Sequence, residues 1–263
     1  MRAAFVSLLG GVLAGLTPAG PVGGAAWPEE AWLWQALPEA SGQRPVRLYL
    51  DAGHGSGDNT GNLSALCEPE ERFTLSLATD VAETLRATGA FDVLVSRGDG
   101  RRPTYRERVD EATAWGAELF VSLHSDVRGR ASEWSPEPGL SCPRSRHAPG
   151  FSVLTADEGD DALARARRRF ALALGSTLRR TGFLPYDGKH YAGDYELVDR
   201  SPGVFRERSG RDGIFVLQAA SMPSVVIETH HALDDREARR FREPETRRAF
   251  AGAVGRAALQ ALR

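Results

Sequence analysis

Four residues stand where short apolar segments end, and together they could do metal-assisted hydrolysis: His54, Glu70, His124 and Glu228. His54 sits in Asp51-Ala52-Gly53-His54-Gly55-Ser56-Gly57, directly after the apolar run Val46–Asp51. Flanking glycines let the chain turn sharply and leave an imidazole uncrowded. A dinucleotide-binding loop would need a third glycine where Asp58 stands and a helix opening at once, but the next helical pattern begins near Pro69. Alone, His54 reads as a histidine in a tight turn. His124 changes the reading, because it too closes an apolar run, Leu119–His124. Histidines at the carboxyl ends of two parallel strands converge on one crevice, and imidazole is the commonest metal-binding side chain. A catalytic zinc takes three protein ligands and keeps one position open, so a third ligand, a carboxylate, is expected.

Glu68, Glu70 and Glu71 open a helical pattern over Pro69–Ala87. On a wheel advancing about 100° per residue, Phe73, Val81 and Leu85 fall within about 80° of Leu77, and Glu70 falls about 20° from it. Glu71 lies about 120° away and Glu68 about 180° away, toward solvent. Acids in a first turn complement the helix dipole, which accounts for Glu68 and Glu71; Pro69 suits the first helical position and Glu68 the cap. Glu70 points with the apolar face, where a carboxylate needs a partner and a metal would supply one. Glu228 ends the β-branched run Ser224–Thr229. An acid there is either an ordinary end-of-strand carboxylate or a base for a water at the metal.

The elements that must position these groups alternate. Apolar runs at Val46–Asp51, Phe91–Ser96, Leu119–His124, Phe151–Thr155, Ile214–Gln218 and Ser224–Thr229 are expected strands. Helical patterns cover Pro69–Ala87, Thr104–Trp115, Asp160–Arg180 and Pro244–Leu262. This alternation implies a single α/β domain with a twisted, largely parallel central sheet flanked by helices. Val127–Gly150 and Leu184–Gly213 fit neither pattern, and long irregular segments in a compact domain are usually functional.

The N-terminus reads as an address. Arg2 precedes the apolar run Ala3–Leu16, which is shorter than the roughly 20 residues of a membrane-spanning helix. With the small-residue exit Gly23-Gly24-Ala25-Ala26, it reads as a secretory signal over residues 1–26. Residues 27–45, with Trp27, Trp32 and Trp34, read as a tail or linker, and residues 46–263 as the catalytic domain. The mature chain is expected in the periplasm or cell envelope, with no membrane span. Over 263 residues, 33 basic side chains balance 35 acidic ones for a net charge of −2. That balance gives no electrostatic footprint for nucleic acid.

These motifs, in this order, resemble the zinc-dependent N-acetylmuramoyl-L-alanine amidases of the amidase-3 type. The family's D-P-G-H-G stands here as Asp51-Ala52-Gly53-His54-Gly55, with alanine for proline. Its E-x-x-x-x-L-x-x-A matches Glu70, Leu75 and Ala78, in agreement with the wheel. Its T-R is similar to Ser96-Arg97, and its L-x-x-R-x-x-x-A-N to the stretch Tyr105–Ala112 with Arg108. S-I-H-A-N resembles Ser122-Leu123-His124-Ser125-Asp126, and V-E-x-G-F resembles Ile227-Glu228-Thr229-His230-His231, where Gly-Phe has become His-His. The resemblance implies one zinc per chain held by His54, Glu70 and His124, with Glu228 as general base on the zinc-bound water and then as acid toward the departing amine. It implies peptidoglycan as substrate, cut between N-acetylmuramic acid and L-alanine. Arg97, Arg108, Asp126, His230 and His231 are the candidates for substrate contact, although His230-His231 reads first as a solvated pair beyond a strand end and only second as assistance to an oxyanion. A monomer is expected, with a protein activator as a further partner. The alternatives are a zinc peptidase or deacylase on another amide, and an inactive peptidoglycan-binding module.

Export permits a disulfide between Cys67 and Cys142, which would tether the Val127–Gly150 segment beside the metal; two free buried thiols are the alternative. His147 and His190 read as surface histidines, and Arg165–Arg169 as a solvated helix face.

Overall fold

Alternation with period two is written into the central strands. Leu48 and Leu50 bury toward one side of the sheet and Tyr49 toward the other; Val225 and Ile227 are likewise opposed to Val226. Both faces of such strands must be covered, which is the requirement of a parallel sheet between helical layers. The computed structural model describes residues 44–191, 193–208 and 213–263. The expected signal at 1–26, and the tail except Arg44 and Pro45, lie outside the described residues.

In chain order the elements are β1 (Val46–Ala52), α1 (Glu70–Arg86), β2 (Phe91–Val95), α2 (Tyr105–Trp115) and β3 (Leu119–Asp126). A hairpin of β4 (Ser132–Trp134) and β5 (Cys142–Arg144) precedes β6 (Ser152–Thr155) and α3 (Asp161–Thr181). Then come β7 (Tyr195–Leu197), β8 (Val204–Glu207), α4 (Phe215–Ala219), β9 (Ser224–His231), α5 (Asp235–Arg240) and α6 (Pro244–Ala261). Among the described residues seven strands form one sheet in the order β2-β1-β3-β9-β6-β8-β7. β2, β1, β3 and β9 are mutually parallel, as are β6 and β8; β6 runs antiparallel to β9, and β7 to β8. One core layer joins the sheet to α1, α3 and α6 through Leu77, Leu174 and Val254, and the opposite layer joins it to α2 and α4 through Val109 and Leu217. Among the described residues no helix is long and apolar enough to cross a membrane.

Three expectations are corrected. Ile214–Gln218 is not a strand: Phe215–Ala219 is one short helix whose Val216 and Leu217 are buried, an outcome that a short apolar run leaves open between helix and strand. The irregular segments also carry structure, since the first holds the β4–β5 hairpin and the second supplies β7 and β8 to the sheet edge. Cys67 and Cys142 form a disulfide with Cα atoms 5.3 Å apart, tying β5 to the loop that leads into α1. The Arg165–Arg169 run is not wholly solvated, because Arg167 is buried and donates to the Ala220 carbonyl at 2.7 Å.

Candidate metal centre

The parallel register of β1, β3 and β9 brings their carboxyl ends to one edge. His54 follows β1 by two residues, His124 lies on β3, and Glu228 on β9 pairs directly with His124. The turn carrying His54 is tied to the sheet where Gly53 N–H donates to the Leu123 carbonyl at 3.0 Å. A side chain at position 53 would set its Cβ 2.5 Å from the His124 ring, so glycine is required there. His54 itself is left-handed, with φ 59°, a conformation that strains a non-glycine residue and persists only where neighbours hold it.

Two buried arginines do the holding. Arg108 donates to the carbonyls of Ala52 at 3.0 Å and His54 at 2.5 Å, while Arg97 donates to those of Ala52 and Gly53, both at 3.0 Å. Three consecutive carbonyls of the histidine turn are thereby engaged. Beneath them, buried Asp51 accepts from Arg108 and Ser96 at 2.9 Å and from Ser122 at 2.6 Å. Arg97 and Arg108, expected at the substrate, are buried and spend their guanidinium groups on this backbone.

Glu70 is buried on the inward face of α1 with Phe73, Leu77, Val81 and Leu85. Glu68 does not cap that helix; Pro69 stands at the cap, and the amides of Glu70 and Glu71 donate to the carbonyls of Asn62 and Thr60. The Glu70 carboxylate lies 3.0 Å from His54 Nε2 and 3.1 Å from His124 Nδ1. Ser125 N–H donates to its Oε1 at 2.9 Å, and Asn62 donates to its Oε2 from N–H at 3.1 Å and from Nδ2 at 2.7 Å. Burial opposes the Glu70 charge, but the two histidines outweigh it and hold the carboxyl below the usual carboxylate range.

One ligand atom each from His54, Glu70 and His124 lies within 4.8 Å of the others. Two imidazoles and a carboxylate are the N,N,O donor set of a catalytic zinc that keeps one coordination position open. The two side chains remain 21% and 18% exposed, so the cluster is reachable from solvent. The donors present fit the ion.

Glu228 stands beside this cluster with a buried Oε2 that has no hydrogen-bond partner among the described residues. Burial, followed by the charges of Asp126 and Glu70, pushes its carboxyl well above the usual range against the opposing pull of Arg128. Asp126 is partly exposed; its Oδ2 accepts from Tyr191 Oη at 2.5 Å and Arg128 Nε at 2.8 Å. Arg128 is buried across the ring of Tyr186 and donates to the carbonyls of Ala148 and Gly150, so it ties both irregular segments to the end of β3.

His230 and His231 are corrected most sharply: both are buried. His230 stacks on Phe241 and meets Phe73 edge-on, and burial pulls its pKa down to about 3. His231 is pulled down to about 4 by burial and Arg128. Both are neutral core residues. The β9 strand simply continues through them, which a histidine pair in the sequence does not announce. Sequence reasoning also passed over Asn59, Asn62, Arg128 and Tyr191, whose types are ordinary in loops and whose spacing carries no signal. His190 is exposed, as expected, and lies 2.8 Å from Tyr186 Oη.

Comparison with known proteins agrees with this geometry. Residues 48–260 match the amidase-3 family model, described as N-acetylmuramoyl-L-alanine amidase. The chain is 27% identical over 230 residues to the N-acetylmuramoyl-L-alanine amidase AmiA of Escherichia coli, covering 82% of this chain and 75% of that protein. It is 27% identical over 198 residues to AmiC of Neisseria meningitidis, covering 72% of this chain and 46% of that one. Among solved structures, the amidase Ami1 of Mycobacterium smegmatis superposes with a TM-score of 0.63 at 22% identity, over 82% of this chain and 96% of that one, and so shares the fold. The chain belongs to the amidase-3 family of N-acetylmuramoyl-L-alanine amidases.

Proposed function

We propose that this protein is a zinc-dependent hydrolase of peptidoglycan that cleaves the amide between the lactyl group of N-acetylmuramic acid and the L-alanine of the peptide stem. The observation that carries the reading is the convergence of His54, Glu70 and His124 within 4.8 Å, beside a base in register with His124. His54, Glu70 and His124 would hold the metal, which when bound supplies a Lewis acid that polarises the carbonyl and acidifies water. Glu228, which keeps partial access to solvent, takes the proton of the attacking water on its carboxylate and returns it to the departing alanine nitrogen. Asp126, clamped through one oxygen, presents the other to substrate. An extracellular polymer as substrate accords with a leader in residues 1–26 and a place in the cell envelope.

The test uses purified protein and a soluble muramyl peptide. Release of the peptide should stop on chelation and return with Zn2+. Release that is indifferent to a chelator excludes the metal role, and no release with zinc bound favours the binding-module alternative.

A further inference from the structure

We infer that Asn59 is a positioning residue that fixes the tautomer of His54, so that Nε2 is the bare nitrogen offered to a metal; this rests on the metal-centre reading above and deepens it. Asn59 Oδ1 lies 3.0 Å from the N–H of Gly61. An N–H can only donate, so the atom it meets is the amide oxygen, and the ambiguity between the two ends of an asparagine is removed. The other end agrees, since Asn59 Nδ2 donates to Tyr105 Oη at 3.0 Å. The same Oδ1 lies 3.0 Å from His54 Nδ1. An acceptor at that distance requires a proton on Nδ1.

A neutral imidazole carries one N–H, so with Nδ1 protonated its Nε2 presents a lone pair. That lone pair faces Glu70 Oε2 at 3.0 Å, an oxygen already accepting twice from Asn62. Two acceptors so close repel unless a cation lies between them. The opposite tautomer would donate from Nε2 straight to Glu70, satisfying both groups internally and competing with a metal for each. Asn59 suppresses that competitor.

The residue is built to do this. Its backbone closes the turn after His54, donating to the Ser56 carbonyl at 3.1 Å and accepting from Gly55 at 2.7 Å. Gly61 brings its N–H to Oδ1 in a left-handed conformation, φ 72°, where a Cβ would fall 2.6 Å from Glu70 Oε2. Partners of metal-binding histidines of this kind typically change metal affinity about 10- to 100-fold when removed.

The experiment combines two readouts on the full chain. Long-range nitrogen–proton spectra of the metal-free protein, above the histidine titration range, report which His54 nitrogen bears the proton. Competition between the protein and a chromophoric chelator for Zn2+ reports affinity. Wild type should carry the proton on Nδ1. Asn59→Ala should lose that preference and bind Zn2+ about 10- to 100-fold more weakly. Asn59→Asp, which keeps an acceptor, should restore both. A proton on Nε2 in wild type overturns the inference, as does an Asn59→Ala protein that binds Zn2+ like wild type, or an Asn59→Asp protein as weak as Asn59→Ala. Should Asn59→Ala fail to fold, the wild-type spectrum and Asn59→Asp still decide. A wild type that carries Nδ1–H yet takes up no Zn2+ defeats the metal reading instead, and the two failures are told apart.

Discussion

Arg108 and Asp51 meet at 2.9 Å with both side chains withdrawn from solvent. Their pairing lies directly beneath the turn that carries His54, and Arg108 spends three of its remaining N–H groups on the carbonyls of Pro103, Ala52 and His54. Removing one partner of a buried ion pair strands the other, at about 3–5 kcal/mol. Arg108→Ala should lose that much stability in urea unfolding, with weakened Zn2+ binding because the turn is released. A variant as stable as wild type but with a raised KM would return Arg108 to the role of substrate contact.

The bridge between Cys67 and Cys142 closes 75 residues of chain. In the chain-entropy model such a loop contributes about 4 kcal/mol. The double variant Cys67→Ser/Cys142→Ser should unfold at markedly lower denaturant while still taking up zinc, since no ligand lies on the tethered hairpin. An unchanged unfolding midpoint would contradict this account of the bridge.

Glu237 supplies a pH signature. It is buried and accepts from the N–H groups of Gly150 and His231; burial nonetheless pushes its carboxyl up to about 7, from an ordinary 4.5. Between those values the folded chain keeps a proton that the unfolded chain has released, so its contribution to stability falls as pH rises through that window and levels off above it. Glu237→Gln should remove this slope, read as the difference between the two stability–pH profiles. Parallel profiles would show that Glu237 does not titrate there.

Much of the site is legible in residue types and spacing, and the part that is not has a physical reason. Glu70 is separable from Glu68 and Glu71 because a helix has a fixed angular step, and the buried carboxylate lies where that step places it. His54 and His124 are legible because strands end where apolar runs end. His230 and His231 misled because burial of a neutral imidazole depends on what packs against it, here Phe73 and Phe241 from distant elements. The short strands β7 and β8 escaped because three- and four-residue runs at a sheet edge carry little periodicity. Asn59 and Arg128 act through hydrogen bonds that only the folded chain brings together.

The roles proposed for Glu228 and for the His54, Glu70 and His124 cluster are separable by experiment. Glu228→Ala should lower turnover about 10²- to 10⁴-fold while one zinc per chain remains, measured by elemental analysis beside an activity assay. Loss of the metal would make Glu228 a ligand, and unchanged turnover would remove it from the chemistry.

Product analysis shows which bond is cut. Intact peptidoglycan is incubated with the purified, zinc-loaded protein, and the soluble products are analysed by mass spectrometry. Free stem peptides beginning with L-alanine, and glycan chains that retain the lactyl carboxylate, are expected. Fragments cut within the peptide, with the muramyl–alanine amide intact, would contradict the proposed function.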